Sequence, residues 1–390
     1  MRQSRDSNSD KSIKVMRIIA RMNVGGPAVQ VSGLMRGLST TDFDHRLYTG
    51  YCGEDEADYI KEQAPDVKAL QLDGLGRKVN PRADFLILFK LIREIRSFKP
   101  DVIHTHTAKA GVIGRLASIF SFHTSVRVHT FHGHLLSGYF SPVITRLVIL
   151  IERVLAFKTR VLVSVGEKVR DELLAKKIGT FSKYRIFPPG LVLKPLVARD
   201  DALTSLGLES GFIYVSFIGR ITQIKRPDRF LEMVELVSRN DKSIKFLVAG
   251  GGDLLETCQK TASEKNLPVI FLGWRFDIEN ILSASDIVVL TSDNEGTPLS
   301  LIQAGLAGKP TVSTNVGSVK EIVLDGKTGM ITELTPESLA VAVNSLAGDE
   351  AKRESFGTAA SVHTHTNYGV DRLVKDHAKL YKELITNRKR

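Results

Sequence analysis

Short apolar runs with strand character alternate with longer stretches of helical spacing along almost the whole chain. Such alternation predicts an α/β fold with parallel sheets, because successive parallel strands need a crossover that is usually a helix. In the first half, strands are expected at 14–20, 45–50, 102–106, 126–131 and 160–164, with helices at 29–38, 84–98 and 111–120. A second series follows the turn Pro188-Pro189-Gly190. Its expected strands are 214–218, 244–249, 269–272, 287–291 and 310–313, and its helices 227–239, 254–266 and 297–308. In the stretch 84–99, Phe85, Leu88, Phe89, Ile92 and Ile95 form the stripe expected to face a core, leaving Lys90, Arg93, Arg96 and Lys99 to solvent. A final amphipathic helix at 370–386 carries Leu373, His377, Leu380, Tyr381 and Leu384 near helical spacing.

A chain of 390 residues is too long for one ordinary core and implies two domains. Prolines and a glycine place the break near 188–199. The expected division is a tail at 1–12, a first domain at 13–190, a second at 191–369, and a C-terminal helix at 370–390 that packs back on the first. The tail is polar and lacks the apolar stretch of a signal peptide. With 43% apolar and 25% charged residues, the chain is neither disordered nor fibrous.

The net charge of +11 favours anions, whether nucleotide phosphate, lipid or nucleic acid. Cys52 and Cys258, the two cysteines, are too few for a disulfide framework or a thiolate zinc site, which fits a reducing compartment. The apolar stretch 142–157 is interrupted by Arg146, Glu152 and Arg153 and falls short of the ~20 residues a bilayer span needs. A cytoplasmic protein, soluble or peripheral, is expected. For the basic region 141–158, a core-facing helix and a contact with an anionic membrane both stay open.

Two doubly wound domains on a short linker would bring strand ends and helix N-termini around a shared cleft, which suits a phosphorylated ligand. The most informative segment is Ser292-Asp293-Asn294-Glu295-Gly296-Thr297-Pro298-Leu299-Ser300. A strand runs into this loop and a helix opens near Thr297-Pro298, so the N–H groups of Leu299 and Ser300 can meet a phosphate. Glu295, just before that terminus, can accept from two sugar hydroxyls, and Gln303, farther into the helix, can reach a ribose. The loop Gly219-Arg220-Ile221-Thr222-Gln223-Ile224-Lys225-Arg226-Pro227 offers a guanidinium and an ammonium suited to two phosphates. His129-Thr130-Phe131-His132-Gly133-His134 closes a strand, and His104-Thr105-His106 closes another. Metal binding by these histidines lacks an obvious carboxylate or thiolate partner, so no metal is expected. Gly25-Gly26-Pro27-Ala28 and Gly250-Gly251-Gly252-Asp253 are tight turns. The second departs from the dinucleotide fingerprint because Leu254 and Leu255 follow it.

The segment 292–310 resembles the nucleotide-sugar signature of glycosyltransferase family 4, in which two Glu residues flank seven others. Glu295 matches the first and Gln303 stands in place of the second. The likeness runs from about residue 14 to 384. It implies the GT-B architecture, two Rossmann-like doubly wound domains facing a central cleft. It also implies retaining, metal-independent transfer from a nucleotide diphosphate-sugar, a UDP-sugar favoured, to a glycan or polyprenyl-linked acceptor in cell-surface polysaccharide assembly. By the same resemblance, Arg220 and Lys225 hold the diphosphate and His132 contacts the transferred sugar. Gly25, Gly26, Gly250, Gly296, Thr297, Leu299, Ser300 and Gln303 line the donor, while His104 and His134 lie toward the acceptor. In the loop 315–321, Ser318 replaces a glycine usual in the family, and Glu321 receives no catalytic role. No cofactor and no nucleic-acid partner are implied, and the setting is the inner face of the plasma membrane. Two other functions fit the residues: a nucleotide-sugar epimerase or hydrolase on the same fold, and a non-catalytic anion-binding protein.

Overall fold

The computed structural model describes residues 12–53, 56–76, 80–133 and 142–389. The chain divides into two compact units, one drawn from Met1–Phe187 and Val370–Arg390, the other from Pro188–Gly369. In the first, β1 (Ile13–Arg21) holds a run of buried residues from Val15 to Ala20, as a strand covered on both faces must. The other strands are β2 (Phe43–Gly50), β3 (Ala69–Gln71), β4 (Val102–His106), β5 (Val126–Phe131), β6 (Val161–Ser164) and β7 (Tyr184–Ile186). They form a parallel sheet in the order β3-β2-β1-β4-β5-β6-β7. The edge strands β3 and β7 have three residues each, too short for an alternation to announce them.

Helices α1 (Gly26–Gly37), α2 (Tyr59–Gln63), α3 (Pro81–Phe98), α4 (Ala108–Phe120), α5 (Pro142–Phe157) and α6 (Glu167–Ala175) cross between these strands. α3 begins at a proline, with the Asn80 side chain accepting the Ala83 N–H at 3.3 Å. Its buried stripe corrects the expected one: Ile87, Leu91, Ile95 and Phe98 face the sheet, whereas Phe85 and Phe89 are exposed. Both stripes have helical spacing, so periodicity alone could not choose between them.

The second unit contains α7 (Arg199–Ser205), β8 (Ile213–Ile218), α8 (Pro227–Asn240), β9 (Ile244–Ala249), α9 (Leu255–Glu264), β10 (Val269–Gly273), α10 (Ile278–Ala284), β11 (Ile287–Leu290), α11 (Leu299–Leu306), β12 (Thr311–Thr314), α12 (Val319–Ile322), β13 (Gly329–Thr332), α13 (Pro336–Ala347) and α14 (Glu350–Tyr368). Its parallel sheet runs β10-β9-β8-β11-β12-β13. Val215, Phe217, Phe230, Phe246, Val248, Val289 and Val343 meet in its main core.

The last helix, α15 (Val370–Lys389), belongs to the first unit. Leu380 and Tyr381 pack on Val15, Val102, Val128 and Val163, which alternation sends to one face of the sheet. Met16, Ile18, Ala20 and Ile103 point the other way, toward α3 and α4.

Candidate functional site

In an open parallel sheet, ligands settle beyond the carboxyl ends of the strands where the strand order reverses. In the second unit this reversal lies between β8 and β11, and the loops leaving those strands carry Arg220, Lys225 and Glu295. Lys225 Nζ donates to Glu295 Oε1 at 2.5 Å, and Ser292 Oγ donates to the same oxygen at 2.6 Å. The two charged side chains are only 16% and 11% exposed, so salt screens their attraction far less than that of a surface pair.

The backbone around the pair is braced from both sides. Thr291 Oγ1 donates to the carbonyls of Lys225 (2.9 Å) and Arg226 (3.1 Å), and the Asp293 N–H donates to the Ile224 carbonyl (3.0 Å). Buried Arg229 reaches the Thr291 carbonyl at 2.6 Å and Asp293 Oδ1 at 2.7 Å. Opposite, Ser318 N–H donates to the Gly296 carbonyl at 3.0 Å and Thr314 Oγ1 to the Ser292 carbonyl at 2.8 Å. Gly317 has φ +53°, and a Cβ there would stand 1.8 Å from the Glu295 carbonyl oxygen, so only glycine fits. Gly250 is similar: at φ +148°, a Cβ would lie 1.9 Å from the Gly219 carbonyl oxygen, because the loops after β8 and β9 touch.

Arg226 pairs with Asp228 at 2.7 Å and with Asp293 at 3.2 Å, which makes it a brace. Arg220 is exposed and makes no ion pair among the described residues, so its guanidinium is open to an anion. α11 opens two residues later than expected, with Pro298 at the N-cap and Leu299 and Ser300 as its first two residues. Their N–H groups are among those a helix leaves without internal partners. Gly296 and Thr297 lead into that terminus, and half-buried Gln303 makes no side-chain hydrogen bond among the described residues.

In the first unit the order reverses between β1 and β4. Gly25 caps α1 and Gly26 opens it. His106 ends β4, and its Nδ1 lies 3.0 Å from Nε2 of His132, which follows β5. Among the described residues, His106 Nε2 is buried with no partner. An orphaned N–H is costlier than an orphaned lone pair, which places the His106 proton on Nδ1, donated to His132 Nε2. His132 then carries its own proton on Nδ1. Desolvation pushes the His132 pKa down to about 3, so the ring is neutral near pH 7. Beneath it, Arg17 donates to Tyr381 Oη at 3.3 Å, and the Tyr381 O–H donates to His104 Nδ1 at 2.6 Å. His104 Nε2–H donates in turn to Thr130 Oγ1 at 2.7 Å.

A description of glycosyl transferase 4-like domains matches residues 25–190, and one of glycosyl transferases group 1 matches residues 199–363. The chain is a family 4-like glycosyltransferase. An Escherichia coli relative, UDP-Gal:alpha-D-GlcNAc-diphosphoundecaprenol alpha-1,3-galactosyltransferase, is 27% identical over 286 residues, 71% of this chain and 73% of that one. A D-inositol 3-phosphate glycosyltransferase of Arthrobacter sp. (strain FB24) is 26% identical over 87% of this chain and 86% of the relative. The solved structure of Anabaena Alr3699/HepE in complex with UDP matches with a TM-score of 0.80 at 18% identity, covering 95% of this chain and 100% of that one. Sucrose-phosphate synthase from Thermosynechococcus elongatus matches at 0.79 and 19%, over 96% and 100%. These likenesses show the fold, two Rossmann-like parallel-sheet domains of the GT-B type.

The residues singled out in this glycosyltransferase divide between its units. Arg220, Lys225, Gly250, Glu295, Gly296, Thr297, Leu299, Ser300 and Gln303 lie in the second, and Gly25, Gly26, His104 and His132 in the first. One is corrected: His104 is fully buried with both ring nitrogens bonded to protein, leaving no face for an acceptor. His134 lies outside the described residues, as does the tail through residue 11. The rings of His104 and His106 stack with centroids 4.3 Å apart, and among the described residues no three His, Cys, Asp or Glu side chains are grouped to hold a metal ion. Within the same residues, no helix is long and apolar enough to cross a membrane.

Sequence reasoning gave no part in the site to Ser292, Arg229, Asp293 or Tyr381 and weighed His106 only as a metal ligand, since their partners are distant in the chain or too ordinary in type to stand out. It also passed over Trp274, half-exposed directly after Gly273, whose carbonyl accepts the Gly250 N–H at 2.8 Å. A lone tryptophan beside a strand-end glycine was the available signal.

Proposed function

We propose that this glycosyltransferase moves a hexose or N-acetylhexosamine from a UDP-sugar to a lipid-linked glycan, with retention, during cell-surface polysaccharide assembly at the inner face of the plasma membrane. The observation that carries the donor site is the Lys225–Glu295 pair beside exposed Arg220 at the strand-order reversal of the second unit. Arg220 and Lys225 hold the diphosphate, and the N–H groups opening α11 add their partial charge as the leaving group develops its own. Glu295 accepts from hydroxyls of the sugar and Gln303 bonds the ribose as a neutral group, while the sugar contact of His132 is the role the family resemblance implies. The bond from the anomeric carbon to the phosphate oxygen breaks, and the acceptor oxygen bonds to the same face of that carbon. The acceptor's proton passes to the departing diphosphate. The UDP preference and lipid-linked acceptor are supported by the substrate for which the Escherichia coli relative is named and by the nucleotide in the Anabaena structure.

The test is a thermal-shift comparison of UDP, GDP and ADP on the purified protein, because a ligand of the folded state raises its melting temperature. UDP is expected to stabilise selectively, with the effect lost in Lys225→Ala while the ligand-free melting temperature is kept. Equal shifts with all three nucleotides, or an unchanged UDP shift in the variant, would overturn the donor assignment. Transfer is expected to survive EDTA, since side-chain cations supply the leaving-group charge. Loss on chelation and recovery with a divalent ion would reverse that expectation.

A further inference from the structure

Helices α3, α4 and α5 of the first unit lie side by side, α4 between its neighbours. An amphipathic helix on a sheet should turn polar residues outward. α5 does the reverse. Val143, Leu147, Leu150, Val154 and Phe157 recur every three or four residues, and all are exposed, Val143 by 73% and Phe157 by 76%. The opposite side of the helix is anchored inside by Glu152, which receives two bonds from buried Arg115 at 2.7 and 2.8 Å. On α3, Phe85, Leu86 and Phe89 are exposed, the two phenyl rings resting against each other with centroids 4.7 Å apart. Beyond α4, Phe122 is 83% exposed at φ +55°, a left-handed conformation that a bulky residue adopts at an energetic cost.

The charges on these helices are one-sided. Their carboxylates are engaged: Asp84 with Lys109 at 2.7 Å, Glu94 accepting the Tyr48 hydroxyl at 3.0 Å, and Glu152 with Arg115. Lys90, Arg93, Arg146 and Lys158 are exposed around the apolar stripes. We propose that this helical layer docks on an anionic bilayer surface, with the outer stripe of α5 seated among the acyl chains and the flanking cations on lipid phosphates. Charge selects this occupant over a second copy of the chain, because two such faces meeting would oppose cation to cation. Apolar burial and attraction to anionic lipid act together in this mode of binding. The inference deepens the proposed use of a lipid-linked acceptor, and its test contains no substrate, so either can fail alone.

The experiment is co-sedimentation of the full chain with phosphatidylcholine vesicles, with and without phosphatidylglycerol. Binding is expected only to the anionic vesicles and to weaken as salt is raised. Leu150→Glu with Val154→Glu should lower it by about tenfold or more. The melting temperature should not change, since both side chains are already in water. Val362→Glu, an exposed position of the second unit, should bind as the parent does. Failure of the parent to bind anionic vesicles, or equal binding by the double variant, overturns the proposal. So does a parent dimer in light scattering that the double variant dissolves, since a second copy would then cover the stripe.

Discussion

The main core of the second unit is assembled from Val215, Phe217, Phe230, Phe246, Val248 and their apolar neighbours, whereas the interior of the first holds Arg17, His104, His106, Arg115, His129, Glu152 and His377. Both are parallel sheets flanked by helices, and among its described residues the second buries no histidine. One architecture therefore accepts two solutions to the interior. Apolar packing needs shape alone, while a polar interior needs every group matched to a partner. The first unit has the more demanding interior, and perturbing it should show this.

The largest effect should come from the buried ion pair. Glu152→Ala leaves Arg115 charged and unmatched, which costs about 3–5 kcal/mol. Replacing both residues with leucine gives the first unit an interior of the second unit's kind and should recover most of that loss. Urea melts of the three proteins check the order, and a single variant as stable as the parent would erase the contrast.

Acid should come next. Burial holds the pKa of His132 and His377 near 3, and burial together with Arg17 holds His45 near 4, against an ordinary value of 6.5. A base whose folded pKa is depressed contributes its full stability above the unfolded value. That contribution drains away as pH falls from about 6.5 toward the folded values, by about 1.4 kcal/mol per histidine per pH unit. Hydrogen exchange at neutral pH and at about pH 5 should show β1, β4, β5 and α15 losing protection before β8, β9 and β11. Uniform loss across both units would remove the distinction.

The smallest stability effect, with a large functional one, belongs to Gly317→Ala. The added Cβ pushes on the Glu295 carbonyl, so the loop must shift while the apolar core beneath stays packed. Transfer should fall by at least about tenfold with the melting temperature nearly kept, as a small misplacement is enough to lose positioning. Normal activity would show that the loop tolerates displacement.

The same contrast explains what could be read in the chain beforehand. Long buried strands such as β1 and β9 announce themselves by apolar runs, and the Glu295 segment by its order of residue types. Short edge strands do not, and neither does the choice between two stripes on α3. The polar interior was the hardest to foresee. Arg115 meets Glu152 from 37 positions away, and His104 meets Tyr381 from 277, so no local pattern holds the pairing. His104 was expected toward the acceptor by resemblance to the family. Its burial follows from α15, which arrives from the far end of the chain to cover it.

That return of α15 has a consequence for synthesis. The ribosome delivers the first unit's strands early, yet Tyr381 and His377 emerge only after every element of the second unit. Until then Arg17, His104 and the apolar residues beside them lie uncovered on a growing chain. The unit begun first is completed after the second, and a polypeptide released before α15 would carry a finished second unit and an open first one.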